Sequence, residues 1–266
     1  MIKTFVNPLA LVWRAKKSAV IIMLADLLFF LSFTGVFYLL QERLSNLFLS
    51  VSGLLAMAGT PTGSGEEAAQ EFLSKFPLSA FIVQFAEIIE LFAVLIGAGI
   101  LLWIIFEGVA WKKSYAIAGK KVSWLSFLGR FSVTTLFWCI VFLLTLIATV
   151  KVSSLQLLNI FPVFQSAIKA FFGVVFGLLT YFGFVSYCLL DSALVKVTKK
   201  TFVVAYKKFL SLFPLFVFIL TVIYGSLWLV KNSLTVALWL PLVLFLVLFL
   251  PVIAWSRVLF LKAVRW

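Results

Sequence analysis

Six stretches of this chain, residues 18–40, 80–106, 125–149, 165–190, 209–230 and 234–256, are each apolar over more than 20 residues. A helix needs about 20 such residues to cross a hydrocarbon core of roughly 30 Å. Inside lipid every backbone N–H and C=O must find a partner within the protein, which leaves helices and closed barrels as the spanning structures. Barrel strands are shorter and alternate apolar with polar positions; these runs are long and uniformly apolar. The pattern predicts an all-α fold: a polytopic transmembrane six-helix bundle forming a single integral membrane domain over 1–266. Composition agrees, since 64% of the residues are hydrophobic and only 12% charged, far from the balance of a soluble globular domain. Lys3, Arg14, Lys16 and Lys17 precede the first run and no small-residue cleavage site follows it, so it reads as a retained helix and not a removed leader.

The net charge of +13 does not point to nucleic acid, because the 22 basic residues lie between the apolar runs instead of clustering on one face. Alternate connections divide them unequally, with sixteen Lys and Arg on one side of the six runs and four (Arg43, Lys75, Lys151, Lys231) on the other. By the positive-inside rule the richer side, which includes both termini, is cytoplasmic, and the location expected is the cell (plasma) membrane. Trp13, Trp103, Trp111, Trp124, Trp255 and Trp266 fall on the basic side, and Trp228 and Trp239 on the far side, as interfacial anchors do. Basic pairs at Lys16-Lys17, Lys120-Lys121 and Lys207-Lys208 open three successive hairpins.

Two connections have a character of their own. The outer loop 41–77 begins with an apolar segment, Leu47 to Met57, too short to span and therefore expected to be interfacial or re-entrant. It continues through a Gly- and Pro-rich break to a short outer-loop helix over 66–76, with Ser64 and Glu67 spaced as a capping box. On the basic side, Lys196, Lys199, Lys200 and Lys207 fall within one third of a helical wheel. That spacing predicts an amphipathic interfacial helix whose lysines contact anionic inner-leaflet headgroups, alternatively lysines that only set topology.

Ionisable residues inside a span are the remaining functional hint, because a charge near the bilayer centre costs about 2.5–3.5 kcal/mol on the mildest scale. Asp26, Gln84, Glu87, Glu90, Arg130 and Lys169 form the candidate intramembrane polar pocket. Depth counting pairs Asp26 with Arg130 and Glu87 with Lys169, leaving Glu90 alone; Gln84, Glu87 and Glu90, three apart, share one side of their helix. Ala93-xxx-Gly97 and Gly173-xxx-Gly177 are small-residue pairs suited to close helix packing, within the chain or in self-association. Pro214, Pro241 and Pro251 should kink or break the last two spans. With no histidine, two cysteines (Cys139 and Cys188) that each fall inside an apolar run, no phosphate-binding glycine loop and no nucleophile turn, neither catalytic residues, nor a metal, nor a cofactor is expected.

The succession of membrane helix, acidic residue, small-and-basic stretch, Lys-Lys and membrane helix occurs twice, from Glu107 through Lys120-Lys121 and from Asp191 through Lys207-Lys208. In this the chain loosely resembles prokaryotic six-helix membrane-domain families, including the domain fused to some glycerophosphodiester phosphodiesterases. The resemblance implies three repeated hairpins and carries over no functional residue. Two readings stay open: a non-catalytic integral membrane protein acting through packing against lipids, a partner membrane protein or a second copy, and a small ion or solute transporter with an acidic intramembrane pocket. They separate on whether a cavity reaches Glu90 or the interior is closed by ion pairs.

Overall fold

The computed structural model describes residues 10–57, 76–153, 162–192, 194–235, 237 and 239–265, which are helical almost throughout and contain no strand. In chain order the helices are α1 (Lys16–Met57), α2 (Leu78–Leu102), α3 (Gly108–Ile117), α4 (Trp124–Ser153), α5 (Pro162–Tyr187), α6 (Leu194–Lys207), α7 (Phe209–Asn232), α8 (Leu240–Leu244) and α9 (Leu250–Arg265). A π-turn at Trp103–Glu107 joins α2 to α3, and another at Phe245–Phe249 joins α8 to α9. Six of the resulting segments are long and apolar enough to cross a membrane.

Two elements differ from the sequence expectation. The first helix does not end near residue 40 before a separate interfacial segment: α1 runs unbroken for 42 residues to Met57, a rise of about 63 Å at 1.5 Å per residue. Gln41, Glu42 and Arg43 are polar, but they are also good helix formers, and no proline interrupts them. Polarity moves a segment out of the bilayer without ending its helix. For the same reason the second span continues past residue 106 through Ile117. It stops at Gly119, whose φ of +81° lies in the left-handed region that glycine adopts without a Cβ clash. The expected helix over 66–76 and its capping pair fall outside the described residues, apart from Phe76.

The prolines behave according to position. Pro214 lies inside an otherwise continuous α7, Pro241 occupies the first turn of α8, and Pro251 the first turn of α9. Pro251 brings no N–H for the carbonyl one turn back, and the π-turn Phe245–Phe249 immediately before it is where the helix changes pitch.

The chain forms two compact units, Met1–Leu28 with Ile104–Trp266, and Phe29–Trp103. In the larger unit α3 packs on α4 and α9, α4 on α5, α5 on α6, and α7 on α9. The last span is its centre: 39% of its most apolar window is buried, against 11 to 17% in the other five. The core is strongly aromatic, with Phe131 stacked on Tyr187 (centroids 4.9 Å), Tyr115 edge-on to Phe127 (5.2 Å) and Tyr181 edge-on to Phe216 (5.6 Å). Trp111 belongs to it at 1% exposure, so this tryptophan is a core residue and not the interfacial anchor its neighbouring lysines suggested. In the smaller unit Phe29 lies edge-on to Trp103 (5.4 Å), and a Cβ at Gly99 would stand 3.0 Å from the Phe33 ring.

Candidate functional site: an arginine between two carboxylates

Within the larger unit, Ile22, Ala25, Ala110 and Ala254 form a buried cluster from α1, α3 and α9. Alanine is the smallest side chain that keeps full helix propensity, so three of them at one level let the backbones come close. Each charge stands three or four positions from a member of this cluster along its own helical segment: Asp26 four after Ile22, Glu107 three before Ala110, Arg257 three after Ala254. Helical spacing of three or four keeps neighbours on one face, and the three charges therefore converge where the cluster does.

Arg257 sits between both carboxylates. Its Nη1 donates to Asp26 Oδ2 at 2.8 Å and its Nη2 to Asp26 Oδ1 at 2.7 Å, a two-bonded fork; Nη2 also lies 2.8 Å and 2.6 Å from Glu107 Oε1 and Oε2. Asp26 is 0%, Glu107 3% and Arg257 5% exposed. A planar guanidinium matches a carboxylate in this way, where a lysine ammonium could not. Glu107 is the last residue of the π-turn, and one wide turn rotates the register of every side chain after it. Next to it, Gly108 provides clearance: a Cβ there would approach Leu128 Cδ1 to 3.0 Å and Phe131 Cδ1 to 3.5 Å.

The pairing differs from the one depth counting proposed. Asp26 meets Arg257, not Arg130, whose Nη1 instead donates to the Leu190 carbonyl at 3.1 Å. Glu87 has its ion pair with Arg43, at 3.8 Å and with both side chains largely exposed, in place of the expected Lys169, itself exposed. Glu90 is exposed on α2, and Gln84 Oε1 is buried without a hydrogen-bond partner among the described residues. Two members of the triad lie outside the spans expected from hydropathy: Arg257 follows the last run, among the terminal basic residues, and Glu107 is one residue beyond 80–106. Both lie inside the helical segments as they stand, which run on through polar residues to Ile117 and to Val264.

A second set of contacts fixes the turn that follows α5. The Tyr115 hydroxyl donates to the Tyr187 carbonyl at 2.8 Å and accepts from the Leu190 N–H at 2.9 Å. Lys120 Nζ bonds Asp191 Oδ2 at 2.8 Å. The Tyr115 hydroxyl thus serves backbone groups that a helix end leaves open, and the Lys120–Asp191 pair ties the turn to the end of α3 through side chains alone. Further along, Lys196, Lys199, Lys200 and Lys207 of α6 are exposed, while Val197, Thr201 and Ala205 are buried. Of the small-residue pairs, Ala93 is exposed, and a Cβ at Gly97, Gly173 or Gly177 would meet nothing within 4 Å. The expected close helix contact within the chain is thus not made at these glycines among the described residues.

No group of three or more His, Cys, Asp or Glu side chains that could hold a metal ion occurs among the described residues. The chain matches no protein-family model, no curated protein and no solved structure.

Proposed function

We propose that this is a non-catalytic multi-pass membrane protein that acts through its surface, by packing against lipids or partner proteins. The observation that carries the reading is the burial of Asp26, Glu107 and Arg257 against one another. Charges left in a span generally mark either a path or a lock. A buried guanidinium committed to four short contacts, on helices that also bring together the buried Ile22, Ala25, Ala110 and Ala254, has the character of a lock joining the first and last spans. Facing outward are many large apolar side chains, Leu39, Leu125 and Leu210 among them, together with the lysines of α6 and unfilled glycine positions on α2 and α5. In this reading the six spans form three hairpins with both termini cytoplasmic, in the plasma membrane. The connections holding Lys120 and Lys207 then meet the anionic inner leaflet, in keeping with the charge asymmetry of the sequence.

One observation favours the transporter reading, now centred on different residues: two carboxylates face a single guanidinium, leaving one acid without a cation of its own. Proteoliposome flux separates the two. With the purified protein reconstituted under a proton or potassium gradient, the surface-acting reading expects dye-reported flux equal to that of protein-free vesicles. Flux above that background, abolished by Glu107→Gln or Asp26→Asn, would replace it with transport.

A further inference from the structure

Two outward-facing charges of opposite sign stand on different spans. Glu90 is the middle residue of the 25 in α2, and Lys169 lies in the first half of α5. Both are exposed, and neither has a hydrogen bond or ion pair among the described residues. Their surroundings are apolar: Ile89, Phe92 and Val94 are exposed beside Glu90, and Phe171 and Val174 beside Lys169. Arg43, the only Lys or Arg among the described residues of the unit that holds Glu90, goes to Glu87 at 3.8 Å. A charge on the lipid side of a span is costly, and charges in spans pair with one another.

The faces that carry these charges match. On α2, Glu90, Ala93 and Gly97 stand four, seven and eleven positions after Ala86, which places all four on one stripe of the helix. On α5, Ala170, Gly173 and Gly177 repeat that spacing from Ser166, with Lys169 next to Ala170. All eight are exposed except the half-buried Gly177, and a Cβ at Gly97, Gly173 or Gly177 would meet nothing within 4 Å. Small side chains let membrane helices approach backbone to backbone. In the three-hairpin order α2 and α5 are the second and fourth spans, so they run through the bilayer in the same direction. With Gly97 level with Gly177, Ala93 is level with Gly173 and Glu90 with Ala170. The carboxylate is then one residue, about 1.5 Å along the axis, from Lys169.

We infer that α2 of one copy of this chain packs in parallel against α5 of a second copy, with Glu90 paired to Lys169 of that second copy. The charges select this contact over its alternatives: α2 on α2 would set Glu90 against itself, and α5 on α5 would do the same to Lys169. Because the two faces differ, each copy keeps one of each free, and the contact repeats head to tail into a ring or a row. The inference rests on the surface-acting reading and names its partner. Flux through the protein would overturn that reading and leave this contact standing, whereas absence of the contact would leave the flux result untouched.

The test uses the full chain in liposomes, with Cys139 and Cys188 replaced by Ala. Copies carrying Ala93→Cys under one tag are mixed with copies carrying Gly173→Cys under another, oxidised with copper phenanthroline and separated without reductant. The mixture should give a dimer band bearing both tags, and either variant alone should stay at background. A chain carrying both cysteines should give a ladder of dimers, trimers and larger species. Glu90→Lys or Lys169→Glu introduced into every copy should lower the mixed dimer about tenfold, the effect of one interhelical polar contact in lipid; the two exchanges together should restore it. Gly97→Leu, at a position open within its own chain, should remove the dimer and elute as a folded monomer. Cross-linking of Ala93→Cys copies to each other as readily as to Gly173→Cys copies would overturn the contact. So would a doubly substituted chain that cross-links only within itself, no mixed dimer at all, or a yield indifferent to the charge exchanges.

Discussion

At the scale of single residues the chemistry of the interior centres on Arg257. Removing one partner of a buried ion pair leaves the other charge uncompensated and costs about 3–5 kcal/mol. The three members are not equivalent in this respect. Arg257→Gln leaves two carboxylates facing each other, whereas Glu107→Gln leaves the two-bonded Asp26–Arg257 pair, neutral as a unit. Arg257→Gln should therefore lower the stability of the purified protein by about 3–5 kcal/mol, and Glu107→Gln by about 1 kcal/mol, in denaturant melts followed by tryptophan fluorescence. Equal effects would mean that Glu107 contributes as much to the lock as the arginine does. Arg257→Lys keeps the charge but loses the planar fork, and should fall between them. Asp26 is visible in the sequence as a charge in greasy surroundings, but Glu107 lies just past the expected span and the shared cation is not visible, because pairing depends on which helix turns face each other and not on depth along the chain.

At the scale of elements, backbone clearance and helix ends decide what packs. Gly108 gives clearance where α3 crosses α4, since a Cβ there reaches 3.0 Å from Leu128 Cδ1 and 3.5 Å from Phe131 Cδ1. Gly108→Val should destabilise by about 1–3 kcal/mol through overpacking, while Gly173→Ala, which meets open space, should be neutral or stabilising by up to about 1 kcal/mol. The same melts distinguish them. The turn after α5 depends on Tyr115, whose hydroxyl serves both the Tyr187 carbonyl and the Leu190 N–H. Tyr115→Phe leaves two buried backbone groups short of a partner, at a cost of about 1–3 kcal/mol. Hydrogen exchange should report it locally, as faster exchange at residues 188–192 with the centre of α7 unaffected. The Tyr115 contacts join residues 72 and 75 positions apart, and nothing in the local pattern of either segment announces them.

For the whole molecule, topology is the claim on which the lipid and partner readings rest. With Cys139 and Cys188 replaced by Ala, single cysteines at Lys121 and Lys207 should react with a membrane-impermeant maleimide from the same side, and one at Lys231 from the opposite side; Lys121 and Lys207 on opposite sides would dismantle the three-hairpin order. That six segments are helical and long enough to cross lipid was legible from hydropathy, because a bilayer asks only for length and apolar surface, both properties of a segment taken alone. Helix ends were less legible: Gln41–Arg43 and Lys112–Lys113 look like loops on a polarity scale yet sit within continuous helices, since polar side chains do not break a backbone hydrogen-bond ladder. The joining of Asp26, Glu107 and Arg257, which are 231 and 150 residues apart, depended on a π-turn and three alanines meeting at one level. Such convergence is a relation between segments distant in the chain, set by packing in three dimensions, and a linear pattern holds no record of it.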